Sequence, residues 1–186
     1  MRINSSVQTL VAASLLMSSI GVMAAPVLSN GGTVHFKGEI VNAACSVSAD
    51  SADQTVTLGQ YRSAKFKAVG DKTGLVPFTI KLQDCDSTVS SKASVAFTGT
   101  VDAADPSVLA VSNIGGGSSG AASGVGIEIS DSQGAVLVPN SGKFSAPHQL
   151  KDGDNVLALT ARYKSTLAAV TPGAADADAT FTMQYE

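Results

Sequence analysis

The sequence predicts an all-β sandwich, and three observations lead to this fold class. Apolar and polar residues alternate with a period of two over many short segments, most clearly at 76–82, where one face carries Val76, Phe78, Ile80 and Leu82. Clusters of Gly, Asn, Asp, Ser and Pro separate these segments, and no long segment repeats its apolar residues with the period of a helix. Many short alternating strands joined by regular turns are typical of a β-sandwich.

The predicted strands follow one another from residue 28 onwards. The alternation places them at 28–40, 55–58, 76–82, 94–98, 108–111, 125–129, 135–138, 156–163 and 175–185. Turn-forming residues lie between them at 70–71, 84–86, 131–134, 139–142 and 152–155. The glycine- and serine-rich stretch 115–120 is expected to be a flexible loop. It is not expected to bind phosphate, because it lacks the Gly-Lys-Ser/Thr ending of a phosphate-binding loop.

The first 24 residues have the composition of a secretory signal peptide. Arg2 gives a positive start, an apolar run occupies 10–17, and small residues precede a cleavage site after Ala24. A transmembrane anchor is the alternative, but serines and a glycine interrupt the apolar stretch, which is short for a membrane span. Residues 1–24 are therefore expected to be removed on export, and the mature chain is expected to have no stable membrane insertion.

Because the chain is expected to be exported, its two cysteines, Cys45 and Cys85, are expected to be in an oxidising compartment. An even number of cysteines in an oxidising compartment is most simply explained by a disulfide bond. A bridge over a loop of this length would stabilise the fold by about 4 kcal/mol in the chain-entropy treatment. A catalytic thiol is the alternative, but neither cysteine has a CxxC partner or a neighbouring base in the sequence.

The composition argues against several classes of function. The chain has 186 residues with 12 Lys and Arg against 15 Asp and Glu, and its net charge of -3 argues against binding to nucleic acid or to an anionic membrane. Two cysteines and two histidines that are far apart do not make a zinc site, and no cofactor motif is present. His35 and His148 belong to no nucleophile motif, so no enzymatic activity is expected.

Both ends of the mature chain are predicted to be extended strands with one apolar face. Near the N-terminus this face comprises Leu28, Gly32, Val34, Phe36, Gly38 and Ile40. Near the C-terminus it comprises Ala175, Ala177, Ala179, Phe181, Met183 and Tyr185. Asp176 and Asp178 fall on the polar face, where a solvated surface is a simpler interpretation than an acid–base pair. Two ordinary strands of a sandwich would also explain the alternation.

Three parts of the sequence resemble the major subunits of type 1 fimbriae of the chaperone–usher class. The stretch 30–45, which ends at Cys45, resembles the N-terminus of the mature subunits, and the residues around Cys85 resemble the context of their second cysteine. The last residues carry the third feature, a glycine fourteenth from the end and a penultimate tyrosine, which are Gly173 and Tyr185.

The resemblance implies an incomplete immunoglobulin-like sandwich that lacks its last strand. A donor strand from a neighbouring subunit or from a chaperone would complete it, so that residues 25–41 are a donor-strand extension and residues 42–186 the pilin domain. The side chains implied for the donor strand are Leu28, Gly32, Val34 and Phe36. Those implied for the C-terminal strand, which a chaperone would contact, are Gly173, Phe181, Met183 and Tyr185.

The implied function is that of a structural subunit of a fimbria on the surface of a Gram-negative bacterium. The subunit would pass through the periplasm with a chaperone, reach an outer-membrane usher, and polymerise with other copies of itself and with related subunits. A minor adaptor of the fimbria and a secreted immunoglobulin-like binding module remain as alternatives. No cofactor, metal ion or nucleic acid is expected to take part.

Overall fold

The computed structural model describes residues 28–38, 40, 42–116 and 120–186 of the chain. The expected signal peptide at 1–24 therefore lies outside the described residues, as does part of the glycine-rich stretch. The chain divides into two units, Met1–Glu39 and Ile40–Glu186.

In the first unit, residues 28–38 form neither a helix nor a strand, although their alternation predicts a strand. Every residue of this segment is exposed. Gly32 has a φ of +121°, a backbone conformation that glycine adopts readily and other residues rarely adopt. Backbone N–H and C=O groups need hydrogen-bonding partners to form a sheet, so alternation alone does not make a strand until another strand supplies those partners.

The second unit consists mainly of strands, and the predicted all-β fold is confirmed. None of the helices in the described ranges combines the length and the apolarity needed to cross a membrane. The elements in chain order are β1 (Ser46–Val47), α1 (Ala49–Ala52), a 3-10 turn (Ser63–Lys65), β2 (Val76–Cys85), β3 (Lys92–Gly99), β4 (Leu109–Ala110), β5 (Val125–Asp131), β6 (His148–Gln149), β7 (Gly153–Ser165) and β8 (Ala179–Tyr185).

The strands form two antiparallel sheets. One sheet has five strands in the order β1-β2-β7-β5-β4, and the other has three in the order β6-β3-β8. Apolar side chains from both sheets form one core. Within it, the ring of Phe78 from β2 lies 6.4 Å from the ring of Phe97 from β3, measured between centroids. Two sheets that pack face to face through one core make a β-sandwich.

The period-two pattern decides which side chains of each strand enter the core. In β2, Ile80 and Leu82 are fully buried, whereas Lys81 between them is exposed. In β7 the same alternation buries Leu157 and Leu159. The strands predicted at 76–82, 94–98, 125–129 and 156–163 lie within β2, β3, β5 and β7.

Among the strands predicted for the second unit, two are wrong and two are shorter than predicted. Residues 55–58 form no strand, and residues 135–138 contribute a single bridge, between Val136 and Ser130. The strand predicted at 108–111 is reduced to β4, and the one predicted at 175–185 begins only at β8. The segment 55–58 carries only two apolar side chains, which is too little buried area to hold a short segment in a sheet. Residues 135–138 are apolar throughout, and they contact β5 through the backbone hydrogen bonds of Ala135 and Leu137.

Cys45 and Cys85 form the predicted disulfide bond. Both residues are buried. The bond joins the residue before β1 to the last residue of β2, and beside it the amide of Asp86 donates a hydrogen bond to the carbonyl oxygen of Ala44 at 2.9 Å. The beginning of the sandwich is therefore held covalently to the five-stranded sheet.

A charged cluster lies where β5 and β7 pair. The Glu128 carboxylate of β5 is 1% exposed and forms salt bridges with Lys72 at 2.8 Å and with Arg162 of β7 at 2.6 Å. Lys164 of β7 pairs with Asp105 at 2.7 Å and lies 4.0 Å from Glu128. Burial acts to raise the pKa of Glu128, but hydrogen bonds and charges from Lys72 and Arg162 outweigh it, so that the pKa is lowered.

Candidate functional site

The last strand, β8, is paired along one edge. Its whole length is antiparallel to residues 93–99 of β3. Next to this ladder, Glu186 and Lys92 exchange both backbone hydrogen bonds, at 3.0 and 2.9 Å. Because bonded and non-bonded pairs alternate in an antiparallel ladder, the even-numbered residues of β8 bond to β3, and the odd-numbered residues point their N–H and C=O groups away from it.

The other edge of β8 is open in the part of the chain that the structure describes. β8 is the outermost strand of its sheet, so no described strand pairs with the outward backbone groups of Phe181, Met183 and Tyr185. A row of unpaired donors and acceptors is a template for a further strand. The sandwich therefore offers an edge that can accept a strand from another chain.

The side chains along this open edge are apolar and only half-buried. Phe181, Met183 and Tyr185 pack against the core from one face of β8, and the Phe181 ring lies 6.3 Å from the ring of Phe97. The Tyr185 hydroxyl donates a hydrogen bond to the carbonyl oxygen of Cys45 at 3.4 Å, and burial raises the pKa of this tyrosine. A further strand that covered this face would remove the remaining apolar surface from water.

Gly173 lies in the segment 171–176, which leads into β8. A Cβ atom at this position would lie 2.5 Å from the carbonyl carbon of Ala121 and from the amide nitrogen of Ala122. The neighbouring Ala174 donates a hydrogen bond to Gly120 at 3.0 Å and accepts one from Ala122 at 2.7 Å. Glycine therefore allows two backbone segments to pack in direct contact, and it fixes where the chain enters β8.

A cavity of about 480 Å³ lies beside this lead-in segment. Its lining includes Tyr61, Tyr163 and Pro172, and the two tyrosine rings meet edge to face with centroids 5.9 Å apart. The Tyr163 hydroxyl donates a hydrogen bond to the carbonyl oxygen of Ala175 at 2.9 Å. No local sequence pattern indicates this cavity, because its lining residues come from segments that are far apart in the chain.

The side chains implied for the donor strand lie in the first unit. Leu28, Val34 and Phe36 are 97%, 74% and 92% exposed. Such extensive exposure of large apolar side chains within one short segment indicates an interaction site. Gly32 shares their parity in the sequence. In the described ranges, no group of His, Cys, Asp and Glu side chains is arranged to hold a metal ion.

These features define a class of protein. A β-sandwich with an open, apolar strand edge, together with an exposed segment of alternating apolar residues, is typical of proteins that assemble by β-strand addition. The sequence profile of the family described as "Fimbrial protein" matches residues 34–186. The chain belongs to this fimbrial protein family.

Individual relatives agree with the family assignment. The chain is 54% identical over 177 residues to the "Fimbrial subunit type 1" of Salmonella typhimurium, which covers 94% of this chain and 95% of the relative. It is similar to a solved chaperone–usher pilus structure, with a TM-score of 0.68, 31% identity, and coverage of 88% of this chain and 100% of the other. It is also similar to the P pilus rod subunit PapA, with a TM-score of 0.63, 31% identity, and coverage of 77% and 100%. The predicted family and the immunoglobulin-like fold class are confirmed.

Proposed function

We propose that this chain, a structural subunit of a fimbria on the surface of a Gram-negative bacterium, polymerises head to tail by donor-strand exchange. Residues 25–41 of one copy would pair with the open edge of β8 in another copy, whose residues 42–186 form the accepting domain. The observation that carries the proposal is the edge formed by Phe181, Met183 and Tyr185, which is half-buried and unpaired in the described part of the chain.

Strand geometry determines which interactions hold the donated strand in the accepting domain. The donated backbone supplies N–H and C=O groups to the odd-numbered residues of β8, and this part of the interaction does not depend on side chains. Leu28, Val34 and Phe36 enter the apolar face, and each side chain contributes about 1.5–3 kcal/mol when it is fully buried. Gly32 occupies a position where the accepting domain leaves no room for a side chain.

The open edge of β8 also explains why the subunit would need a chaperone and an usher before it joins other copies. An exposed, apolar strand edge promotes aggregation, so the subunit needs a temporary partner in the periplasm before it polymerises. A chaperone would fill this role by pairing with the C-terminal strand, whose entry point Gly173 fixes, and an outer-membrane usher would receive the complex. Because each copy donates to one neighbour and accepts from another, the contact does not close on itself and produces a filament.

The experiment compares fibre formation from purified, chaperone-bound mature subunits. Deleting residues 25–39 should abolish fibre formation while leaving capture by the chaperone intact, because the sandwich and both cysteines remain. Gly32→Leu should slow fibre formation, since an extra side chain in a packed face costs about 1–3 kcal/mol. Thr33→Leu is the matched control, because it adds a similar side chain one residue away on the opposite face.

Two results would contradict the proposal. Fibres of normal length from the deletion variant would show that residues 25–39 are not the donated strand. Equal rates for Gly32→Leu and Thr33→Leu would show that the parity of the segment does not govern its insertion.

A further inference from the structure

The outer edge of β3 resembles the open edge of β8 at the other side of the same sheet. Even-numbered residues of β8 lie opposite even-numbered residues of β3, so the odd-numbered residues of both strands point their N–H and C=O groups outward. In β3 these residues include Val95, Phe97 and Gly99, and the first two bury their side chains in the core. β6 pairs with Lys92 and Ala93 at the beginning of this edge, and no further strand lies beside the rest of it in the described part of the chain. Both edges of the sheet therefore have the chemistry to accept an added strand.

The segment between β5 and β6 covers this second edge as it crosses from one sheet to the other. The amide of Leu137 donates a hydrogen bond to the carbonyl oxygen of Ile129 in β5 at 2.9 Å. Three residues later, the amide of Asn140 donates one to the carbonyl oxygen of Phe97 in β3 at 3.0 Å. Three extended residues span about 10 Å, which is the spacing of two packed sheets, so the chain crosses directly from β5 to β3. A chain that crosses in this way does not run alongside β3, and its backbone pairs with only part of the edge.

Two side chains of this segment supply the hydrogen bonds that its backbone does not make. The Asn140 Oδ1 accepts a hydrogen bond from the N–H of Gly99 at 3.1 Å, and its Nδ2 donates one to the carbonyl oxygen of Gly99 at 2.8 Å. The Ser145 Oγ accepts a hydrogen bond from the N–H of Val95 at 3.1 Å, and the Ser145 amide donates one to the carbonyl oxygen of Val95 at 2.9 Å. Asn140 has a φ of +60°, a left-handed conformation that asparagine adopts more readily than most residues. Its side-chain amide therefore takes the place of a strand residue beside the end of β3.

We propose that Asn140 and Ser145 are edge-closing residues, which prevent β3 from accepting a donated strand, so that each subunit takes up one strand only, at β8. The proposal rests on donor-strand exchange, because the strand that is excluded is a second copy of residues 25–41. Such a strand binds largely through backbone hydrogen bonds, and both edges of the sheet present the same backbone groups. With both edges accessible, each copy would accept two strands, and the filaments would branch or associate side by side.

The test uses filaments of the full mature chain and a fluorescent synthetic peptide of residues 25–41 as the probe. Within a filament, a neighbouring copy fills the edge of β8 in every subunit except the terminal one, so the peptide finds sites along the filament only where the edge of β3 is open. The amount of peptide that sediments with the filaments, divided by the amount of subunit, measures this opening. Electron microscopy of the same samples shows whether the filaments are single, branched or bundled.

Two substitutions remove the edge-closing side chains. Asn140→Gly deletes the side-chain amide and suits the φ of +60°, and Ser145→Ala deletes the hydroxyl. The double variant should bind about tenfold more peptide per subunit than the original chain, because three hydrogen bonds that cover the edge are lost. Asn140→Gly alone, which leaves the buried Ser145 unchanged, should bind about threefold more, and this guards against misfolding of the double variant.

Two controls separate closure of the edge from a general loss of stability. Ser141→Ala removes a hydroxyl from the same turn, but this hydroxyl bonds to the backbone of Val138 and Lys143 rather than to β3. Asn140→Asp keeps the shape of the side chain and loses its hydrogen bond to the carbonyl oxygen of Gly99, and it places a charge on the edge, which disfavours strand addition. Both controls should bind as little peptide as the original chain and form single filaments.

The outcomes separate this inference from the proposed function. Filaments of Asn140→Gly and of the double variant that bind no more peptide than the original chain would overturn the proposal. An equal increase for Ser141→Ala would also overturn it, because loosening of the turn and not closure of the edge would then explain the binding. If deletion of residues 25–39 abolishes fibres while these variants behave as the original chain does, donor-strand exchange stands and only the closure of β3 by these side chains fails.

Discussion

Glu128→Gln removes the charge at the centre of the cluster between β5 and β7 while keeping the size of the side chain. The carboxylate accepts hydrogen bonds from Lys72 at 3.0 Å and from the Arg162 Nε at 2.8 Å, in addition to its salt bridges. Breaking a buried ion pair costs about 3–5 kcal/mol. Because the side chains of Lys72 and Arg162 are 33% and 23% exposed and can regain water, we expect a smaller loss of about 2–3 kcal/mol.

Urea unfolding of the isolated mature chain at neutral pH, followed by circular dichroism, measures this loss of stability. Asp53→Asn is a matched control, because this exposed aspartate takes part in none of the salt bridges among the described residues. The control should change the free energy of unfolding by less than about 0.5 kcal/mol. A loss for Glu128→Gln no greater than that of the control would refute the reasoning.

The pH dependence provides a second measurement with a defined sign. The folded-state pKa of Glu128 is lower than its ordinary value, so its charge stabilises the fold above the unfolded-state pKa, about 4.3, and this stabilisation is lost as the pH falls through the folded-state pKa. The stability difference between the original chain and Glu128→Gln should therefore be constant down to about pH 5 and shrink below about pH 4. A difference that grew on acidification would have the wrong sign.

Three further predictions concern the disulfide, the lead-in segment and the open edge. Cys85→Ser should lower the free energy of unfolding by about 4 kcal/mol through loss of loop closure, and an unchanged urea midpoint would contradict this. Gly173→Ala should lower the melting temperature, because its Cβ has no room beside the backbone of residues 120–122; an unchanged melting temperature would show that this contact is relaxed at no cost. Tyr185→Glu should reduce the yield of subunit co-purified with the chaperone, since a charge replaces a half-buried ring, whereas Thr182→Glu on the exposed face should not.

The sequence was most informative where alternation coincided with burial on one face. The segments 76–82 and 156–163 each carry enough apolar side chains to fix both the strand and the face that enters the core. The segment 55–58 alternates but has only two apolar residues, and the segment 135–138 is apolar throughout and does not alternate, so packing of the rest of the chain decides their conformation. Alternation shows that a segment is able to form a strand, but it forms one only where a neighbouring strand supplies the backbone hydrogen bonds.

Contacts between distant segments could not be predicted from local pattern. The salt bridges of Glu128 join residues from three separate parts of the chain, and no spacing in the sequence links Lys72 to Arg162. In the sequence, only the family resemblance distinguishes Gly173 from other glycines, and its physical role becomes clear from the backbone of residues 120–122, which packs directly against it. The open edge of β8 likewise depends on strand order, which the alternation of single strands does not contain.

The disulfide bond has a mechanical consequence for a subunit in a filament. Tension that enters the sandwich from its N-terminal side reaches Cys45 first, and the bond passes it directly to Cys85 at the end of β2. The intervening residues 46–84, including the two-residue strand β1 that would otherwise peel away first, lie off the path of the force. The load passes instead to the chain that follows Cys85, so β1 and β2 keep their pairing with each other and with β7 while the filament is under tension.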